Sequence, residues 1–218
     1  MAALTDLDAR SLGTVRRYFA LNPVAADVLV VACFVLPELI APFVGASRPV
    51  SLLLVGLGAV VLMARRHRPV PVAGAIGLLA VVGLAWTGSL NGYDLAVGFA
   101  VYAVAAARPP RVAWLTTATL VAAVAWAAWL WERPGSNGTL TFDGSGPPSD
   151  TTVRIATLTG LTVISLVAMA IGVSVRQRRL HVADLVERAA RLEAERDQQA
   201  RLARAEERGR IAREMHDV

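Results

Sequence analysis

The chain ends in Glu207-Arg208-Gly209-Arg210-Ile211-Ala212-Arg213-Glu214-Met215-His216-Asp217-Val218, where an imidazole is followed directly by a carboxylate and preceded, one helical turn back, by a guanidinium. A histidine with the ordinary pKa of about 6.5 is largely neutral near pH 7, so one ring nitrogen can attack while the other keeps its proton. A carboxylate bonded to that N–H fixes the tautomer and makes the attacking nitrogen a better nucleophile. His216 is therefore a candidate phosphoryl acceptor, Asp217 a candidate for the carboxylate that fixes its tautomer and Arg213 a candidate phosphate contact. Wound as a helix, Ile211, Met215 and Val218 fall within about 60° of one another and form a narrow apolar seam, with His216 about 130° away on an open flank. By residue type alone, an exposed helical histidine is most often an ordinary surface side chain.

A second group of chemically capable residues lies in apolar surroundings. Asp27 and Glu38 are 11 residues apart, about three helical turns, so they share one face of the first apolar segment, and Asp94 near the start of the fourth is a candidate to join them. Acids within a membrane segment usually point into the bundle, which makes a proton- or cation-responsive cluster the functional reading. The structural reading is preferred here: Asp27 falls near a headgroup boundary, and Glu38 follows Pro37, where a kink frees backbone groups for bonding. No segment pairs carboxylates with histidine in the manner of a metal site. His67, among arginines, and His181, past the last segment, read as interfacial side chains.

The elements that must hold these residues follow from composition. The 218 residues are 55% hydrophobic and 18% charged, with a mean hydropathy of +0.51, which is too apolar for an ordinary soluble domain. A single cysteine, Cys33, excludes a disulfide framework and a cysteine-based zinc site. A bilayer core needs about 20 apolar residues per helix, and six candidate spans emerge: 24–44, 50–64, 70–86, 90–107, 112–131 and 153–175. The second is short and the fourth carries Asn91 and Asp94, so loss of these two as a pair would leave four spans. Every basic residue is Arg, 22 in all, and they fall before the first span, after the second, around the fourth and after the sixth, while the opposite loops carry only Arg48 and Arg133, with Arg154 at a span edge. The positive-inside rule then puts both termini in the cytoplasm and makes the chain a multi-pass protein of the cell membrane. Trp86, Trp126, Trp129 and Trp131 fall at the opposite ends, as interfacial rings prefer. Arg16-Arg17-Tyr18-Phe19 has a loose likeness to a twin-arginine export signal, but Asp27 and Glu38 interrupt the apolar stretch behind it, and five further spans favour an uncleaved anchor. The segment 132–152, rich in Gly, Ser, Pro and Thr, is too small for a ligand-binding domain.

After Val175 the composition turns to Arg, Glu, Ala, Leu and Gln, with 11 of the 22 arginines in the last 43 residues and no Gly or Pro between Val173 and Arg208. These are good helix formers. Val182, Leu185, Ala189 and Leu192 keep a and d spacing for two heptads, and Glu187–Arg191 and Glu206–Arg210 are i,i+4 pairs in the favourable order. A parallel dimeric coiled coil fits. The stripe lapses over 193–200, which suits either a stutter that converts motion between registers or a solvated single helix. The fold expected is all-α: a polytopic bundle of about six spans, then a long cytoplasmic coiled-coil and dimerisation helix. Its parts are an N-terminal segment 1–23, a membrane module 24–175, a linker 176–206 and a terminal stretch 207–218.

That terminal stretch, with Glu207, Arg208, Arg210, Ile211, Ala212, Arg213, Glu214, His216 and Asp217 in register, resembles the H-box that opens the dimerisation and phosphotransfer domain of bacterial sensor histidine kinases. It is most similar to the class that signals to response regulators with LuxR-type output domains. Arg16-Arg17-Tyr18-Phe19-Ala20-Leu21-Asn22-Pro23 and the spans behind it also resemble the membrane module of actinobacterial members, and a lysine-free, arginine-rich chain suits a high-GC genome. The resemblance implies autophosphorylation of His216 within a homodimer, Asp217 as acid/base partner, ATP and Mg2+ as requirements of the full-length protein, and transfer to a response-regulator aspartate. Direct nucleic-acid binding is not expected. Family members continue into a second helix and an ATP-binding domain with glycine-rich motifs. Here the sequence stops two residues after the histidine and has no such motif, so a piece of a longer kinase is expected, ahead of a product that needs another kinase in trans. The alternatives are a non-catalytic membrane scaffold and a small transporter.

Overall fold

The computed structural model describes residues 23–40, 49–133 and 149–216. Among the described residues six α-helices follow one another: α1 Pro23–Ile40, α2 Pro49–Met63, α3 Pro69–Thr87, α4 Tyr93–Ala107, α5 Pro110–Trp131 and α6 Asp150–His216, with a 3-10 turn Ala64–Arg66 closing α2. The fold is all-α, and the described part of each expected span is helical, except that residues 90–92 form a turn before the helix of the fourth. Four of the described helical stretches are long and apolar enough to cross a membrane, namely Pro49–Arg66, Pro69–Thr87, Pro110–Trp131 and Asp150–Arg201. The second candidate span, read as 15 residues long, reaches 18 because the 3-10 turn carries the helical path through Arg65 and Arg66. α4 stays at 15 residues, a shorter apolar helix.

Local sequence explains where the helices begin and end. α1, α2, α3 and α5 each start at a proline, whose fixed φ suits the first helical position and whose missing N–H has no partner there in any case. α3 stops at Gly88, which takes φ 74° and donates its N–H to the Leu84 carbonyl. Asn91 at φ 48° and Gly92 at φ 76° complete the turn into α4.

By its contacts the chain divides into two units, Met1–Val173 and Ser174–Val218. In the first, α3 is the hub and packs on α2, α4 and α5. The core is built from Phe34, Leu62, Ile76, Leu84, Tyr93, Val101, Val124 and Leu161, all sealed from the surface. The outside is also apolar: Val60, Leu78, Leu115 and Trp126 are each at least 66% exposed. So large an apolar surface around an apolar core is the pattern of a helix bundle solvated by lipid. Glycine permits the closest approach. A Cβ at Gly172 would stand 2.6 Å from the Ala105 Cβ and 2.9 Å from the Tyr102 carbonyl oxygen, so α6 lies almost against the backbone of α4.

The described residues of the second unit are all helical. Leu180, Val182, Leu185, Val186 and Leu192 are all at least half exposed, and the helix continues without interruption through 193–200.

Candidate functional site

At the end of the bundle where α2 meets α3, one carboxylate holds two guanidinium groups. Nη2 of Arg65 donates to Oδ1 of Asp27 at 2.7 Å, and Nε of Arg66 lies 2.9 Å from Oδ1 and 2.7 Å from Oδ2. The Arg65 side chain is only 8% exposed and that of Asp27 15%, whereas Arg66 reaches outward at 43%. The 3-10 turn produces this arrangement. It tightens the chain after Met63 so that two adjacent arginines face the first turns of α1, with His67 N–H closing on the Ala64 carbonyl at 3.1 Å. Asp27 therefore ties α1 to the end of α2.

Glu38, on the same face of α1 but about 16 Å further along the helix, accepts a hydrogen bond from Ser51 Oγ at 3.3 Å. Asp94 sits in the first turn of α4, where a carboxylate complements the helix dipole. The three acids thus occupy different settings: Asp27 with arginines at one end, Glu38 with a serine of α2, and Asp94 at a helix start. His67 and His181 are exposed.

Two polar features were not singled out from the sequence. Tyr93, fully buried, donates from its hydroxyl to the Leu54 carbonyl at 2.6 Å and meets Phe34 edge-on, with ring centroids 5.3 Å apart. Gly58 makes room for both rings, since a Cβ there would stand 2.8 Å from the Tyr93 hydroxyl. Glu132, 2% exposed, accepts from Thr157 Oγ1 at 2.6 Å, while Arg154 donates to the Trp129 carbonyl at 2.8 Å and stacks over the Trp129 ring at 5.7 Å. This second group ties the end of α5 to the first turns of α6.

An apolar cavity of about 420 Å³ lies between α1, α4 and α6, lined by Val30, Phe99, Tyr102, Val167 and Ile171 among others, with Arg65 the charged member of its wall; a second, of about 460 Å³, lies between α3 and α5 beside Leu78 and Leu120.

In the second unit, Asp184–Arg188 and Glu187–Arg191 form i,i+4 ion pairs, the first at 2.7 Å. The backbone of α6 is helical through Arg213 and His216. The side chains of Arg213 and His216, the Glu206–Arg210 pair, and Asp217 and Val218 altogether lie outside the described residues, as do 16–22 and the segment 134–148.

Bundle and polar ties together define a polytopic, all-α membrane protein. The model of a family described as a domain of unknown function, DUF7134, matches residues 15–179, and the chain belongs to that family. Among curated proteins and among solved structures, none matches this chain.

Proposed function

We propose that this chain is the membrane-embedded input region of a two-component sensor histidine kinase, leading into the helix that carries the phosphoacceptor His216. The observation that carries the reading is the residue-by-residue H-box likeness from Glu207 to Asp217. Two features support it. The backbone is helical as far as His216, and the apolar stripe Val182, Leu185 and Leu192 is exposed in the single chain, as a parallel homodimer requires of its seam. The arginine distribution supports cytoplasmic placement of both ends. The cavity wall, apolar apart from Arg65 and Tyr102, does not fit ATP with Mg2+. No step with ATP is assigned to the described residues. In the transfer, a nitrogen of His216 takes the γ-phosphoryl group as ADP leaves, and an aspartate of a response regulator then accepts it.

The test uses membranes carrying the product of the complete reading frame that contains this chain, incubated with ATP and Mg2+. Acid-labile phosphate on His216 is expected, with its loss in His216→Gln. Incorporation at the unaltered rate in that variant would overturn the assignment.

A further inference from the structure

Within the first unit, α6 meets its neighbours through two kinds of contact. At its first turns they are directional: Glu132, which caps α5, accepts from Thr157 Oγ1 at 2.6 Å, and Arg154 donates to the Trp129 carbonyl at 2.8 Å. About 22 Å further along the helix stands Gly172, where an added Cβ would lie 2.9 Å from the Tyr102 carbonyl oxygen of α4. Between these points, the side-chain bond from α6 to a neighbouring helix among the described residues is the weak one from Thr117 Oγ1 to Met169 Sδ at 3.8 Å. The two flanks of this middle stretch differ. Leu161 and Met169 are buried, whereas Val163, Val167 and Ile171 are each 52% exposed and wall the 420 Å³ cavity to which α1 contributes Val30. α6 thus has a close-packed point at Gly172, a polar clasp at its start and space along one flank.

We propose that the clasp is a catch that holds α6 away from α1, and that with the catch released α6 pivots about Gly172 and closes the cavity, bringing Val167 against Val30. The packing leaves that direction open and no other. Movement toward α4 is blocked, since a Cβ at Gly98 would already stand 2.6 Å from Ile164 Cγ2. Movement toward α5 is blocked by Leu161 and Met169, which are sealed in the core. Closure gains van der Waals contact between apolar side chains, the interaction that drives helix packing in lipid. The directional bonds at Glu132 and Trp129 oppose it, because neither survives displacement of the first turns of α6. The backbone of α6 runs on as helix to His216. On the proposed kinase reading, the clasp is therefore where a stimulus at that end of the bundle acts on the helix carrying the acceptor.

The full chain, with Val30→Cys and Val167→Cys in a Cys33→Ser background, is oxidised in membranes, and the disulfide formed within one chain is measured by mass spectrometry. Thr157→Val removes the donor with little change of shape; the hydroxyl is altered because Glu132 has a further interaction of its own. The 30–167 yield is expected to rise about tenfold in Thr157→Val, the factor that a hydrogen bond to a carboxylate supports. It should stay at the parent's level in Thr157→Ser, which keeps the hydroxyl. Arg154→Met breaks the other half of the clasp and should act in the same direction, which keeps the test open if Thr157→Val fails to fold. A second pair, Val81→Cys with Ala123→Cys across the space between α3 and α5, should not respond. Equal 30–167 yields with and without the clasp, or a rise in Thr157→Ser as large as in Thr157→Val, would overturn the proposal. So would a parallel rise at 81–123, which reports loosening of the whole bundle. None of these readouts involves His216, so the catch and the kinase reading stand or fall separately.

Discussion

The hydroxyl of Tyr93 and the carbonyl of Leu54, 39 positions apart, are joined by a 2.6 Å hydrogen bond deep in the bundle. The Leu54 carbonyl belongs to α2, so the phenol reaches across to a neighbouring helix and anchors the start of the short helix α4. Where there is no water to take over, an orphaned polar group is costly. Tyr93→Phe removes the donor and leaves the carbonyl with its helical environment, so a loss of about 1 kcal/mol is expected. Tyr93→Ala also removes the ring that meets Phe34, and should cost about 3–5 kcal/mol. Unfolding in detergent, followed by circular dichroism, separates the two. Equal stability of the parent and Tyr93→Ala would show that the contact carries no weight.

The contact of α4 with α6 depends on the absence of a side chain at Gly172. A Cβ would meet the Tyr102 carbonyl oxygen at 2.9 Å and the Ala106 nitrogen at 3.2 Å, and backbone atoms cannot rotate away. Gly172→Ala is therefore expected to cost about 2 kcal/mol. Gly160, on the same helix, has nothing within 4 Å of an added Cβ, and Gly160→Ala should be neutral or stabilising by about 0.5–1 kcal/mol. The pair is a controlled comparison: matching melting temperatures for the two variants would contradict the close approach.

What the sequence made legible was local. Helix starts follow prolines 23, 49, 69 and 110, and apolar run length finds the spans, because both are properties of contiguous residues. The reach of α2 was underestimated because Arg65 reads as the end of an apolar run, yet its side chain folds inward onto Asp27. Asp27 stood out as an acid in an apolar segment, but its partners lie 38 and 39 positions away, and no periodicity within α1 points to them. Glu132 reads as the first polar residue of a loop. It is bonded to Thr157, 25 positions on, with the intervening segment giving no signal of the return. The acceptor candidate His216 was legible only through its neighbours in register, since one histidine on a helix has no distinctive pattern of its own.

Asp27 offers a sharper test of the ion-pair geometry. Asp27→Ala leaves the nearly buried Arg65 guanidinium without its carboxylate, and removing one partner of such a pair is expected to cost about 3 kcal/mol. Asp27→Ala combined with Arg65→Ala removes the stranded charge as well, so the double variant should be more stable than Asp27→Ala alone. Additive losses in that cycle would mean that the two side chains do not act on each other. Salt should matter little to the Arg65 contribution and more to that of the exposed Arg66.

On the proposed homodimer, the exposed stripe of α6 makes a positional prediction. Val182, Leu185 and Leu192 share a and d spacing, whereas Asp184, Arg188 and Arg191 form intrachain ion pairs on the remaining surface. Cys33 is the sole native thiol, so single cysteines are placed in a Cys33→Ser background and oxidised in membranes. Disulfide dimers are expected at 182, 185, 189 and 192 and scarcely at 184, 188 and 191, giving a rise and fall with the heptad. Leu185→Asp combined with Leu192→Asp puts like charges into the seam and should abolish cross-linking at 182 while leaving the membrane unit intact. Uniform cross-linking around the helix would mean a solvated single rod that collides at random, and a relay built on parallel pairing would lose its mechanical basis.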